Sequence, residues 1–157
     1  MVKNPYLPIP MHILRTYYES PDRSLKTLEL SFDDPENAHA FFAAYNPGQF
    51  CVLSVFGKGE CALGIANAAW EGDFVRFTAQ KMGSVTQTLH EMKAGDPIGM
   101  RGPLGNGFPL EDWKHRNLVI IGGGCAFSTL YALTKHLFHP AVRNDYGELN
   151  VIYGTRN

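Results

Sequence analysis

The sequence predicts a small antiparallel β-barrel followed by one β-α-β unit. Three observations predict it. Up to residue 102, short apolar segments recur at close spacing, each bounded by Gly, Pro, Asn or Asp turn signals. Residues 110–116 (Leu-Glu-Asp-Trp-Lys-His-Arg) are polar and break that pattern. Beyond them a strand at 117–121 runs into Gly122-Gly123-Gly124, a helix at about 125–138 and a second strand at 148–153. Two strands around one helix demand parallel pairing and a crossover.

Taken in order, residues 1–10 hold three prolines and read as a stiff extended arm. Strands are predicted at 11–18 and 25–32, around the turn signal Glu19-Ser20-Pro21-Asp22. Leu28 and Leu30 alternate with Thr27, Glu29 and Ser31, the period of a half-buried strand. Asp34 caps a helix with Pro35 in its first turn, and that helix covers 38–45 before Asn46-Pro47-Gly48 ends it. Residues 49–56 form an apolar strand, Gly57-Lys58-Gly59 a turn, and 60–66 a strand poor in β-branched residues. Residues 73–80 set Phe74, Arg76 and Thr78 against Val75, Phe77 and Ala79. Gly83-Ser84-Val85-Thr86 precedes a short helix carrying Leu89 and Met92, and 97–102 is the last strand of the barrel. The chain stops at Asn157, directly after the second strand of the β-α-β unit. A mononucleotide-binding half has three strands, so this unit is expected to be truncated or completed by a partner. The expected division is 1–112 and 113–157.

Composition narrows the function. With 45% hydrophobic and 18% charged residues, the chain has the balance of a folded globular protein. Its formal net charge of −1 gives no electrostatic footprint for nucleic acid or anionic lipid. No apolar run reaches the roughly 20 residues of a membrane span, and residues 1–10 lack the apolar stretch of a secretory signal. Cys51, Cys61 and Cys125 are odd in number and lack C-x-x-C spacing, which implies a reducing, cytoplasmic setting and no zinc site of this chain's own. Cys51, in an apolar run, reads as a small core residue. His136 and His139 sit three apart with no third ligand near in sequence, and read as residues favouring a helix C-terminus. No nucleophile–base set or carboxylate pair has catalytic spacing.

The strand–glycine–helix piece at 117–126 offers backbone N–H groups to a phosphate. A tight packing turn that binds nothing is its plain structural alternative. Gly83-Ser84-Val85-Thr86 has the same two readings, with Ser84 as the capping oxygen in the structural one. Cys125 stands where a helix N-terminus favours the thiolate, and is either a redox-active thiol or an inert buried one.

Four runs carry a resemblance: Pro47-Gly48-Gln49-Phe50, Gly83-Ser84-Val85-Thr86, Arg101-Gly102-Pro103-Leu104-Gly105-Asn106-Gly107-Phe108 and Ile120-Ile121-Gly122-Gly123-Gly124. In this order they resemble the ferredoxin-NADP reductase superfamily. The nearest branch is its electron-transfer subunits: those of dihydroorotate dehydrogenase, the anaerobic sulfite reductase flavin subunit and the hydrogenase gamma subunit. The resemblance implies a six-stranded antiparallel flavin-binding barrel, then an incomplete Rossmann-like nucleotide-binding unit. It implies that FAD lies with its ring against Leu63, Gly64, Ile65 and Ala66 and its pyrophosphate at Gly83, Ser84, Val85 and Thr86. NAD(P)H, as substrate, would use Gly122, Gly123, Gly124 and Cys125 to Ala126, with Gly154, Thr155 and Arg156 after the second strand. The Gly-Asn-Gly-Phe run would lie near the flavin or at the domain junction.

Three departures stand out. Gly64 replaces a hydroxyl that in the family contacts the flavin, a hydrogen bond worth about 1 kcal/mol. Cys125-Ala126-Phe127-Ser128 is bulkier than usual. The family branch ends in cysteines for a two-iron two-sulfur cluster, and this chain encodes none. The implied function is a flavoprotein electron-transfer subunit passing electrons between NAD(P)H, FAD and an iron–sulfur partner. The alternatives are a docking subunit that has lost flavin and an FMN-dependent reductase of the same barrel superfamily.

Overall fold

The computed structural model describes residue 4 and residues 6–154 of the 157. Eight strands and three α-helices are present among them: β1 (Ile9–Tyr18), β2 (Leu25–Phe32), α1 (Pro35–Ala44), β3 (Phe50–Val55), β4 (Gly59–Gly64), β5 (Phe74–Gln80), α2 (Ser84–Glu91), β6 (Pro97–Leu104), β7 (Leu118–Gly123), α3 (Phe127–Leu137) and β8 (Leu149–Gly154). Six strands form one antiparallel sheet in the order β4-β3-β6-β1-β2-β5, and β7 and β8 pair in parallel.

The sheet's hydrogen-bond ladder does not close into the expected barrel, because β4 and β5 are its two edges. The gap is bridged just past β4. Ala66 N–H donates to the Arg76 carbonyl at 2.8 Å. The fully buried Asn67 amide then acts as a short piece of strand, accepting from Arg76 N–H at 2.8 Å and donating to the Phe74 carbonyl at 2.9 Å.

Period-2 patterning places the core. Val75, Phe77 and Ala79 point inward from β5, and meet Leu28, Leu30, Met11, Ile13, Leu53, Ile98 and Met100. Several spans differ from the sequence reading: α1 begins at Pro35 rather than residue 38, β4 ends at Gly64 rather than residue 66, and β7 runs on to Gly123 rather than stopping at residue 121. The arm ends at Pro8, because Ile9 and Pro10 already pair with Met100 and Gly99. β6 runs on to Leu104, which pairs with Phe50. Asp34 caps α1 as expected, accepting from Glu36 N–H at 2.9 Å. α2 is held at its far end by Lys26, whose buried ammonium donates to the carbonyls of Leu89, His90 and Met92.

Gly105 to Phe108 is the junction. Phe108 N–H donates to the Pro47 carbonyl at 2.8 Å, and Gln49 Nε2 donates to the Gly105 carbonyl at 2.9 Å. Gly48, at φ +102°, leaves room for the Phe108 ring. Phe108 then meets Trp113 at a tilt, ring centroids 5.7 Å apart, and packs on a second core of Ile120, Leu133, Leu137 and Tyr146. Among the described residues no helix is long and apolar enough to cross a membrane.

Candidate functional site

A groove lies where the outer face of β2 and β5 meets the turn between β7 and α3. It opens as two cavities of about 510 and 560 Å³ that share Leu25, Gly124 and Cys125. The cavity of about 510 Å³ has aromatic walls, Tyr17, Phe127, Tyr131 and Tyr153, and a polar floor that includes Arg76, Glu71 and Thr78. The cavity of about 560 Å³ continues past Gln80 toward Gly123, Ala126 and Gly154. Apolar walls with a few convergent polar groups are the usual make-up of a small-molecule site.

The floor is a string of alternating charges. Glu29 is buried on β2, where alternation had predicted a half-exposed face. Both its carboxylate oxygens accept from Arg15, and Oε1 also accepts from Arg76 Nε at 3.0 Å. Burial opposes the charge on Glu29, but these bonds override it and hold the carboxyl below the usual range. Arg76 Nη1 donates to Glu71 at 3.3 Å. Glu71 is fixed by Ala68 N–H at 2.8 Å and faces Lys135 of α3 at 3.6 Å. The same loop sets Trp70 against His139, ring centroids 4.8 Å apart, with Lys135 over the indole at 5.0 Å. These contacts tie the sheet to α3 beside the cavity mouth.

The residues expected from the sequence fall in different places. Of Leu63, Gly64, Ile65 and Ala66, only Ala66 lines the cavity. Ile65 is in the core, so only its backbone is left to face a ligand, and Leu63 packs against that core. Gly64 faces α3: a Cβ there would run into the Thr129 hydroxyl.

Gly83 caps α2 and has open space around it. The capping oxygen is that of Thr86, not Ser84. It accepts from the N–H groups of Gly83 (2.9 Å) and Met82 (3.0 Å), because Ser84 is already the first helical residue. Val85 packs toward the core. None of the four lines either cavity.

The three glycines at the end of β7 and just past it have three separate reasons. A side chain at Gly122 would strike Leu130 and Phe127, so this glycine sets how closely α3 lies on β7. A Cβ at Gly123 would stand 3.0 Å from the Gly154 carbonyl oxygen, tighter than an ordinary contact. Gly124, at φ +57° with nothing near it, makes the turn and opens on both cavities. Cys125 also lines both, its thiol donating to Gln80 at 3.5 Å. Thr155 and Arg156 lie outside the described residues.

Tyr17, Arg76, Thr78, Tyr131 and Tyr153 were not singled out in the sequence. The alternation of β5 did put Arg76 and Thr78 on the face away from the core. It gave no sign that α3 would roof that face. Among the described residues no three His, Cys, Asp or Glu side chains cluster closely enough to hold a metal ion.

No protein-family model matches the chain. It is 32% identical over 153 residues to the sulfhydrogenase 1 gamma subunit of Pyrococcus furiosus, which covers 98% of this chain and 50% of that protein. It is 33% identical over 117 residues to a Thermotoga maritima homologue of the electron transfer subunit of dihydroorotate dehydrogenase B (NAD(+)), covering 73% and 41%. The chain thus spans about half the length of the relatives it matches. Among solved structures, an NADH-dependent reduced ferredoxin-NADP oxidoreductase shares its fold with a TM-score of 0.74 at 24% identity, covering 100% of this chain and 51% of that one. A Neisseria gonorrhoeae ferredoxin NADP+ reductase with bound FAD and NADP has a TM-score of 0.71 at 21% identity, covering 92% and 56%.

Proposed function

Because the chain belongs to the ferredoxin-NADP reductase superfamily, on the branch of hydrogenase gamma and dihydroorotate dehydrogenase electron-transfer subunits, we propose that it is the flavin-binding part of such a subunit. Residues 1–112 form the FAD-binding unit and 113–157 the start of an NAD(P)-binding one. NAD(P)H is the electron donor and an iron–sulfur redox subunit the acceptor. The setting is cytoplasmic, in keeping with three unpaired cysteines.

The observation that carries this reading is the aromatic-walled cavity of about 510 Å³ between the six-stranded sheet and α3. The residues present fit a planar ring. Tyr17, Phe127, Tyr131 and Tyr153 supply faces, while Arg76 and Thr78 supply polar edges. The open cap at Gly83 supports the pyrophosphate assignment, since α2 presents free N–H groups there. Bound FAD would supply the step between two-electron and one-electron transfer. The chain's own residues bind and orient: the floor fixes polar contacts, the roof of α3 excludes water, and no side chain need move a proton.

Purified protein is the test. A flavin absorption spectrum and FAD in the heat-released supernatant are expected, and added FAD must raise Tm, since a ligand of the native state stabilises it. A colourless protein whose Tm ignores FAD overturns the reading. It would leave the docking subunit without flavin, which the packing of Thr129 onto Gly64 favours.

A further inference from the structure

Arg76 is the cation of the cavity's polar floor, and its surroundings are built rather than incidental. Its side chain is 14% exposed, on the strand that forms the floor. Nε is taken by the buried Glu29 and Nη1 by Glu71. The guanidinium also rests over the Phe74 ring at 5.1 Å. Nη2 has no partner among the described residues, and Arg76 lines the cavity. Two carboxylates and one ring therefore immobilise the planar fork and leave part of it for an occupant.

Holding a long side chain in one geometry costs conformational entropy. Here that cost is met by the protein itself before any ligand arrives, which is the condition for a strong, directional contact. A preset guanidinium suits the carbonyl-and-nitrogen edge of an electron-rich heteroaromatic ring.

Resting on the flavin reading above, we propose that Arg76 holds the pyrimidine edge of the bound flavin and biases the ring toward its reduced form. Reduction adds two electrons and fewer than two protons to a flavin that ends as an anion, so negative charge grows on the ring. A fixed positive charge beside that edge favours the reduced form, and the carboxylate of Glu71 opposes it. Arg76 is a binding and tuning group here and transfers no proton.

The two charges predict opposite signs. In wild-type protein reconstituted with FAD, the affinity and the two-electron midpoint potential are measured by titration and by dithionite reduction against a reference dye. Arg76→Gln should weaken FAD at least about tenfold, the scale of one charge-assisted hydrogen bond, and move the potential negative. Glu71→Gln, which keeps the acceptor for Ala68 N–H, should move the potential positive. Circular dichroism and the urea midpoint check folding. If Arg76→Gln fails to fold, Arg76→Lys and Glu71→Gln carry the test. The lysine variant should hold the potential near wild type while losing affinity, because it keeps the charge and loses the fork.

Unchanged affinity and potential in a folded Arg76→Gln protein, or the same sign of shift from both positions, overturns the proposal and leaves the flavin reading standing. Wild-type protein that takes no FAD overturns both.

Discussion

Gly64→Ser puts the contact between the six-stranded sheet and α3 to a direct test. The backbone at Gly64 is not in the left-handed region, so serine meets no conformational penalty there. The whole effect is steric. A Cβ would overlap the Thr129 hydroxyl and stand 3.3 Å from Thr129 Cβ and 3.6 Å from Cγ2. Thr129 sits on α3, so relief requires the helix to retreat or its side chain to leave its rotamer. Overpacking of this kind costs about 1–3 kcal/mol. Retreat also strains the neighbouring Lys135–Glu71 pair and the Trp70–His139 stack, which as half-exposed contacts add only tenths.

Thr129→Ala removes both Oγ1 and Cγ2 and leaves one tight Cβ contact. The double variant should therefore recover most of the loss, with a coupling of about 1–2 kcal/mol in the cycle. Urea unfolding followed by circular dichroism gives the four stabilities. Trp70 fluorescence reports the interface itself, since the indole packs on His139 and Lys135. A Gly64→Ser protein as stable as wild type, with strictly additive effects in the double variant, would refute the close approach of α3 to β4.

Two further expectations concern titratable groups. Burial and the neighbouring His139 hold His136 below its ordinary value of 6.5. The unfolded chain then binds more protons, so the stability from this group is complete above pH 6.5 and is lost as pH falls below it. Glu29, held below 4.5, contributes stability that is present above that pH and lost as pH falls through its folded value. Thermal melts should therefore show one decline beginning below pH 6.5, flattened by His136→Gln, and a second below pH 4.5. An unaltered slope between pH 7 and 5.5 in His136→Gln would contradict the first. Cys51 is fully buried, and burial pushes its thiol up to about 12. Ellman's reagent should leave it unreacted in the native protein and reach it in urea; three thiols titrating in native protein at pH 8 would contradict this.

What the sequence disclosed and what it hid divide along one physical line. Alternation is a local property, so Val75, Phe77 and Ala79 could be set on one face of β5 and Phe74, Arg76 and Thr78 on the other from that strand alone, and burial shows the first face to be the inward one. Whether an outward face meets water or a roof depends on where α3 lands, about 50 residues later in the chain. That is why neither Arg76 nor Glu29 stood out as a site residue in the alternating pattern. Gly64 shows the same limit from the other side. Its missing side chain was legible as a lost hydroxyl, but its packing reason, Thr129, lies 65 positions away.

The glycine runs were easiest to see and hardest to interpret, since a glycine marks a close approach without saying by what. Gly48 makes room for Phe108 and Gln49 bonds to the Gly105 carbonyl, so the two runs explain one another as a packed contact and line neither of the two cavities described. Of the Gly122 to Gly124 run, two members serve packing and strand contact, and only Gly124 is both left-handed and open to the groove. A Gly122→Ala variant should therefore lose stability whether or not FAD is present. A Gly124→Ala variant, which meets no neighbour but must adopt a positive φ, should instead act at the groove. Its loss of stability should be smaller and its loss of nucleotide affinity larger, and the reverse order would show that the turn is only a packing device.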